Sequence, residues 1–249
     1  MAKQKSVVKL RGTIDDLTFY ESQDGLLVRK KTSISKDRIN TDASFQRTRE
    51  NNAEFANAAA AVKLVKDSVR IMTSGTADNR MSSRLNRIMM AVKTYDSINV
   101  RGARTVAVGI TDPEAKKLLE GFQMNINASL SSVLLIDFQL DQLNGNITIN
   151  GFVPKKNTVF PAGATHVALQ SGFASIAFAE GQSELQVSPV ETLLIDQTSS
   201  NVSLQPVAVP QLVGTKFYLL KVSFFQLVNG VQYELQNGAN SVMAIIAID

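Results

Sequence analysis

The chain has 249 residues, 44% of them apolar and 19% charged, with 26 Lys and Arg against 22 Asp and Glu. That length and composition describe a folded chain of one large domain or two ordinary ones, not a disordered one. Zero cysteines exclude a disulfide framework, a thiolate nucleophile, a Cys-based zinc site and an iron–sulfur cluster, and a single histidine, His166, leaves Ser-His-Asp catalysis and His-rich metal sites without support.

The net charge of +4 hides an asymmetry. Residues 1–122 hold 22 Lys and Arg against 14 Asp and Glu, while residues 123–249 hold 4 against 8, so the halves are +8 and −4. Such a chain suits either a polyanion or the acidic half of a neighbouring copy. The opening MAKQKSVVKLRG has lysines but no apolar core behind them, so no secretory signal is read there. No run approaches the roughly 18 apolar residues of a membrane span. The expectation is a cytoplasmic protein, with an assembled particle or export without an N-terminal signal as the other reading. The Asn-x-Ser/Thr triplets at Asn127, Asn146 and Asn201 are then accidental.

Residues 6–31 read as strands. Val8, Leu10 and Ile14 share one parity against Lys9 and Arg11, and Leu17 and Phe19 continue the alternation with Tyr20 opposite. Asp15-Asp16 reads as a turn. Asp24-Gly25 is a tight-turn signal, after which Leu26 and Val28 alternate with Arg29 and Lys31. Neighbouring strands of this kind crowd Lys9, Arg11, Arg29 and Lys31 onto one face. There they either meet an anion or guard a solvated edge against aggregation.

Thr41-Asp42 is read as the N-cap of a helix reaching Met72. Phe55, Ala58, Val62, Val65, Val69 and Met72 form its apolar stripe, and Arg49, Lys63, Lys66 and Arg70 fall on a neighbouring face. After a break at Ser74-Gly75, capped anew by Thr76 or Asp78, Met81, Leu85, Ile88, Met89 and Val92 form a second stripe flanked by Arg80, Arg84 and Arg87. Two such helices make an antiparallel pair. Residues 97–109 read as irregular or weakly β. Asp112, Pro113, Glu114 and Gly121 then mark a short helix, 113–120, where the boundary between the halves is placed.

Short strands follow. Leu134 to Asp141 alternate, Asn144-Gly145 turns the chain into Ile147 and Ile149, and Val167, Leu169, Ile176 and Phe178 continue the pattern. Leu185 and Val187, then Leu193 and Ile195, come after the EGQSE turn. Tyr218, Leu220, Val222 and Phe224 share a parity that Phe225 and Leu227 break, which suggests a bulge. Asn229-Gly230 predicts a hairpin, and Val242 to Ile248, apolar on both parities, predicts a centrally buried strand.

The chemistry-bearing motifs are missing: no GxxxxGK(S/T), GxGxxG or GxSxG occurs. His166 lies on the polar parity of its strand. Asp137 and Asp141 share a face but sit roughly 13–14 Å apart by strand geometry, too far for a glycosidase pair. Glu180 and Glu184 bracket a turn without the ligand count of a calcium site.

The segments LRGTIDDLTFY, DGLLVRKK and above all RTRENNAEF, with FPAGATHVAL and FFQLVNGVQY, resemble a family of uncharacterised proteins from bacteria of the Bacteroidota type, over nearly the whole chain. The resemblance implies a bacterial origin and one recurrent two-part architecture. It implies no activity and carries over no functional residue.

The sequence thus predicts an α+β protein: a basic N-terminal β-hairpin and helical pair (1–122), then an antiparallel β-sandwich (123–249), Ig-like or a similar Greek key. No catalytic residue, metal ligand or cofactor is assigned. The function read from the sequence is a non-enzymatic, self-assembling structural subunit (filament, tube, shell or virion-like). Its partners are copies of itself, met through Val8, Leu10, Ile14, Phe19, Tyr20, Leu26 and Val28. One alternative is non-specific nucleic-acid binding through Lys9, Arg11, Arg29, Lys31, Arg49, Lys63, Lys66, Arg70, Arg80, Arg84 and Arg87. Another, ligand or glycan binding by the β-domain, rests on fold analogy, and the chain has no tryptophan to stack on sugars.

Overall fold

Two turns organise the start of the chain. Asp15, at φ 51°, closes one hairpin and Gln23-Asp24 the next. Both are short polar turns between strands with period-two patterning. In the computed structural model, which describes residues 2–5, 8–30, 34–73, 78–235 and 240–249, they link β2 (Gly12–Ile14), β3 (Leu17–Ser22) and β4 (Gly25–Lys30), and β1 (Ala2–Lys3) pairs with β4. The sheet is antiparallel in the order β1-β4-β3-β2. A short helix α1 (Lys36–Thr41) follows, capped by Ser35. These elements belong to a first compact unit, Met1–Asn51, and the rest of the chain, Asn52–Asp249, to a second.

The long helix expected from Thr41 begins later. Thr41 ends α1, and the Asp42 carboxylate accepts from Ser44 N of a single 3-10 turn before α2 (Gln46–Ser68) starts. The chain loosens at Val69 and resumes as α3 (Arg70–Thr73). The Ser74-Gly75 break and the Thr76 cap lie outside the described residues. Next come α4 (Met81–Val92), α5 (Val106–Gly109) and α6 (Pro113–Lys117). The segment read as irregular or weakly β therefore contains a helical turn, started by Thr105, whose hydroxyl accepts from Val108 N. Asp112 and Pro113 cap α6 as read, and Gly121, at φ 76°, follows its end.

The remainder is β-rich: α7 (Leu130–Val133), β5 (Gln139–Asp141), β6 (Asn146–Phe152), α8 (Pro154–Asn157), β7 (His166–Ala177), β8 (Gln182–Val187), β9 (Glu191–Leu194), β10 (Ser200–Leu204), β11 (Thr215–Val228), β12 (Val231–Glu234) and β13 (Val242–Ile248). The alternation from Leu134 yields only the three residues of β5, and β10 escaped the sequence reading because Val202 and Leu204 are its only large apolar residues. Long β7 and β11 pair from Thr215↔Ile176 to Phe225↔His166. On its other side β11 meets β13 and then β12, while β7 meets β9 and then β8. A separate three-stranded sheet runs β10-β6-β5. The bulge expected near Phe225 is elsewhere: pairing runs unbroken there, and the register slips instead between Tyr218 and Leu219 against β13. Asn229 (φ 50°) and Gly230 (φ 81°) form the predicted hairpin turn.

The six-stranded sheet is buried on both faces. Ala174, Ile176, Phe217, Leu219, Met243 and Ile245 join the helical stripes Ala58, Val65, Leu85 and Met89 in one cluster. Val167, Leu169, Leu220, Val222, Phe224 and Val242 join Ile147, Ile149, Phe152, Val202 and Leu204 of the smaller sheet in another. Met243 and Ile245 on one side, Val242 and Ala244 on the other, explain why β13 is apolar on both parities. Residues 121–124 cover its outer edge: Gly121 N donates to Ile245 O and Met124 N to Met243 O. The helix at 113–120, where the sequence places the boundary between the halves, and Gly121 after it fall within Asn52–Asp249.

Gly109 makes the closest approach in the helical layer, since a Cβ there would lie 2.2 Å from the Val92 carbonyl oxygen. Gly109→Ala is expected to lower unfolding stability by about 1–3 kcal/mol, the range for overpacking, read from urea denaturation midpoints.

Candidate functional site

The expected interface residues are sorted by strand register. Pairs Ile14↔Leu17, Phe19↔Val28 and Glu21↔Leu26 place Ile14, Leu17, Phe19, Leu26 and Val28 on one face of the first unit's sheet. Tyr20 lies on the other face, paired with Leu27 and with the Arg29 guanidinium 5.6 Å from its ring centre. Val8 and Leu10 precede β2 and stand exposed, so they extend the edge, not the face. Leu17, which completes the patch, follows from the Ile14↔Leu17 pair. Ile14 is 56% and Leu17 42% exposed, and none of the described residues of 1–51 is buried.

Of the four cations predicted to share a face of this sheet, three are among the described residues. Arg11 forms an ion pair with Glu21, Arg29 sits over Tyr20, Lys9 and Arg11 lie ahead of β2, and Lys31 is outside the described residues. The helical cations divide likewise. Arg49 donates to the Ile39 and Asp42 carbonyls, both at 2.8 Å, and Lys66 donates to Ser82 Oγ at 2.7 Å, joining α2 to α4. Arg84 turns inward: it donates to the Gln123 and Met124 carbonyls, pairs with Asp78 and lies 4.9 Å from the Phe122 ring centre. The Arg80, Arg84, Arg87 spacing thus loses its middle member to the fold, whereas Lys63, Arg70, Arg80 and Arg87 remain exposed. Burial works against the Asp78 charge, but the Ile126 amide, the Arg84 guanidinium and the Arg80 amide outweigh it and hold its carboxyl below the usual range.

The sequence reading passed over a buried polar knot in the second unit. Glu54 is 1% exposed, while Phe55, assigned to the core stripe, is 53% exposed. The spacing Glu54, Ala58, Ala61, Val65 was the available signal, and a carboxylate at its head needs donors. It has them: Gly102 N at 2.8 Å and Arg104 Nε at 2.9 Å donate to Oε1, and Arg104 Nη2 and Lys93 Nζ donate to Oε2. Burial, then the nearby Arg104 and Arg101, push the Lys93 ammonium pKa down. Next to it Asp96, 4% exposed, accepts from Asn99 Nδ2, Asn99 N, Thr105 N and Ile98 N at 2.8–3.0 Å. Burial raises its pKa, but these bonds outweigh that and bring it to about 2. With their acceptor positions occupied, these carboxylates tie residues 96–106 to α2 and the end of α4.

Several concavities mark the described residues of the second unit. A cavity of about 280 Å³ is lined by Asn57, Ala61, Leu64, Asp67, Val106 and Phe178. A more open groove of about 440 Å³ has Lys116, Glu180, Lys216 and Asp249 around an apolar floor that includes Ile110 and Phe178. A third, about 370 Å³, lies between α2 and α4 beside Phe55 and Lys63. The His166 ring nitrogen Nδ1 shares a 2.9 Å hydrogen bond with Thr165 Oγ1. Among the described residues no group of three or more His, Cys, Asp or Glu could hold a metal, and no helix is long and apolar enough to cross a membrane. No family model, curated protein or solved structure matches the chain.

Glu54→Gln removes the charge that compensates Lys93 and Arg104. It is expected to cost about 3–5 kcal/mol of stability, as breaking a buried pair does, whereas Phe55→Ser changes it by less than about 0.5 kcal/mol; urea titrations of both variants check this. Because the folded pKa of Asp96 is depressed, its contribution is complete above the ordinary value of 3.8 and is lost as pH falls through about 2. Melting temperature should therefore drop across that window in the parent and less steeply in Asp96→Asn.

Proposed function

We propose that this protein is a non-enzymatic structural subunit that assembles with copies of itself through its N-terminal sheet. One observation carries the reading: the first unit presents an apolar face, Ile14, Leu17, Phe19, Leu26 and Val28, and none of its described residues is buried. An exposed apolar patch of this kind, rimmed by charge, marks a protein–protein contact. The charges agree. Residues 1–51 carry 11 Lys and Arg against 7 Asp and Glu, residues 52–249 carry 15 against 15, and within the latter 123–249 are acidic, 4 against 8. The basic unit of one copy thus has an acidic counterpart on the next. The accompanying view of the β-rich region is a sandwich, β5, β6 and β10 stacked on the larger sheet.

Light scattering coupled to size exclusion, with negative-stain imaging, tests the reading; a monomer persisting at high concentration overturns it. Phe19→Asp in the full chain should abolish assembly and leave the circular dichroism unchanged, since the residue belongs to no core cluster.

A second reading, non-specific binding of nucleic acid, is favoured by the exposed Lys63, Arg70, Arg80 and Arg87, none of which forms an ion pair among the described residues. Affinity would then fall steeply with salt, and neutralising Arg80 and Arg87 together would flatten the log–log slope by about two. No shift with DNA or RNA at low salt ends it.

A further inference from the structure

The edges of the six-stranded sheet are treated unevenly. Residues 121–124 line the outer side of β13. On the far edge Val207 N donates to Val187 O at the end of β8, and Gln211 N and Leu212 N donate to the Glu184 carboxylate. β12 lies on the same side of β11 as β13, yet among the described residues it pairs with β11 alone. The hairpin that it forms with the end of β11 exposes Leu227, Val228, Val231 and Tyr233. Lysine, proline and bulges are the usual guards of such an edge, and β12, VQYE, has none of them.

The hairpin's hydrogen bonds set which backbone groups face out. Leu235 N donates to Phe224 O, and along an antiparallel ladder hydrogen-bonded and non-hydrogen-bonded pairs alternate. Phe225↔Glu234 and Leu227↔Gln232 are therefore non-hydrogen-bonded pairs. Phe225 accordingly turns its carbonyl the other way, where Thr165 N donates to it. The N–H and C=O groups of Gln232 and Glu234 point away from β11 into the open edge.

We infer that two copies of this protein join about a two-fold axis by antiparallel addition of β12 to β12, with Tyr233 of one copy opposite Tyr233 of the other. Such a ladder forms only where outward-facing residues stand opposite one another, which limits the two-fold registers. Glu234 opposite Glu234 sets two carboxylates against each other. Gln232 opposite Gln232 gives one hydrogen-bonded pair within β12, because the next would need Gly230, which is held in the turn at φ 81°. Gln232 opposite Glu234 gives such a pair on each side of the axis. It also sorts the faces: Tyr233 meets Tyr233 and Val231 meets Leu235 on one, while Gln232 meets Glu234 on the other. No like charges are adjacent. A slip of one residue would set outward groups against inward ones and end the ladder.

The second copy is the occupant because the strand is its own complement, and a two-fold contact closes both open edges at once. About five residues per strand bury only part of the roughly 800 Å² per partner of a stable interface, so the contact is weak by itself. It uses a different surface from the N-terminal sheet and stands without that reading. Where both operate, two contacts on each copy carry assembly beyond a pair.

The chain has no cysteine, so single introduced thiols report the contact. Tyr233→Cys puts two thiols across the axis in a non-hydrogen-bonded pair, whose Cα separation of about 4.5 Å suits a disulfide. Val231→Cys is the control: the two parent side chains are similarly exposed, at 51% and 56%, but the Val231 positions would lie about 13 Å apart. Under limiting oxidant the full-length Tyr233→Cys protein should form disulfide dimers at least tenfold faster than Val231→Cys. Adding Leu235→Cys to Val231→Cys should recover the fast rate. Equal rates for the two single variants, as random collision gives, overturn the proposal, and fastest linkage from Gln232→Cys overturns this register. Gln232→Pro removes an outward N–H without touching the bonds to β11. Placed in the Tyr233→Cys chain, it should erase the tenfold advantage with circular dichroism unchanged; an undiminished rate counts against strand addition. Phe19→Asp should leave the Tyr233 linkage intact, and its loss there overturns a contact independent of the N-terminal sheet. Fast linkage in a protein that light scattering shows to be no larger than a dimer sinks the N-terminal reading alone.

Discussion

The ladder between β7 and β11 is the constraint on which the second unit depends. Eleven consecutive pairs hold the two longest strands in register, and the alternation of side chains along them assigns each residue to one of two layers. Phe217 and Leu219 go to the helices, Leu220, Val222 and Phe224 to the smaller sheet. A shift of one residue would exchange the two sets, exposing helix-matched side chains to the wrong partners. Burial on both faces therefore locks the register, and it leaves β13 with no polar face.

Within the helical layer, more than apolar burial joins the elements. Glu54 receives donors from Lys93, Gly102 and Arg104, all far from it in sequence, and Asp96 fastens the intervening loop to itself. Buried charges of this kind contribute less net stability than their Coulomb attraction suggests, because desolvation offsets much of it. Their effect is directional: the chain between α4 and α5 has one arrangement that satisfies the carboxylates. Arg84 does the same for residues 123–126, with Asp78 as its counter-charge.

The first unit is built on the opposite principle. Its sheet is amphipathic, yet no described residue in it is buried, and its excess positive charge equals that of the whole chain. An exposed apolar face on four short strands is a surface that gains from being covered. Under the self-assembly proposed above, other copies would supply a cover for that face, and the electrostatic difference between the basic unit and the acidic β-region would give the encounter an orientation.

Local chemistry was legible in the sequence wherever one or two residues settle the backbone. Asp15-Asp16, Asp112-Pro113, Asn144-Gly145 and Asn229-Gly230 mark turns and caps where the structure has them, because dihedral preference needs no partner. The stripes of α2 and α4 and the two-sided apolar run of β13 were legible for the same reason, period being a property of the chain alone. What the tertiary structure decided is which polar side chains face inward. Glu54 took the position that hydrophobicity assigns to Phe55, and Arg84 left a row of exposed arginines, because each found buried donors or acceptors some 40–50 residues away. Likewise β10, with two apolar residues, is a strand only because Ile147 and Ile149 stand beside it. Sequence by itself determines local conformation through short-range sterics and periodicity; the pairing of distant polar groups, whose energies depend on burial, exists only once the chain has folded.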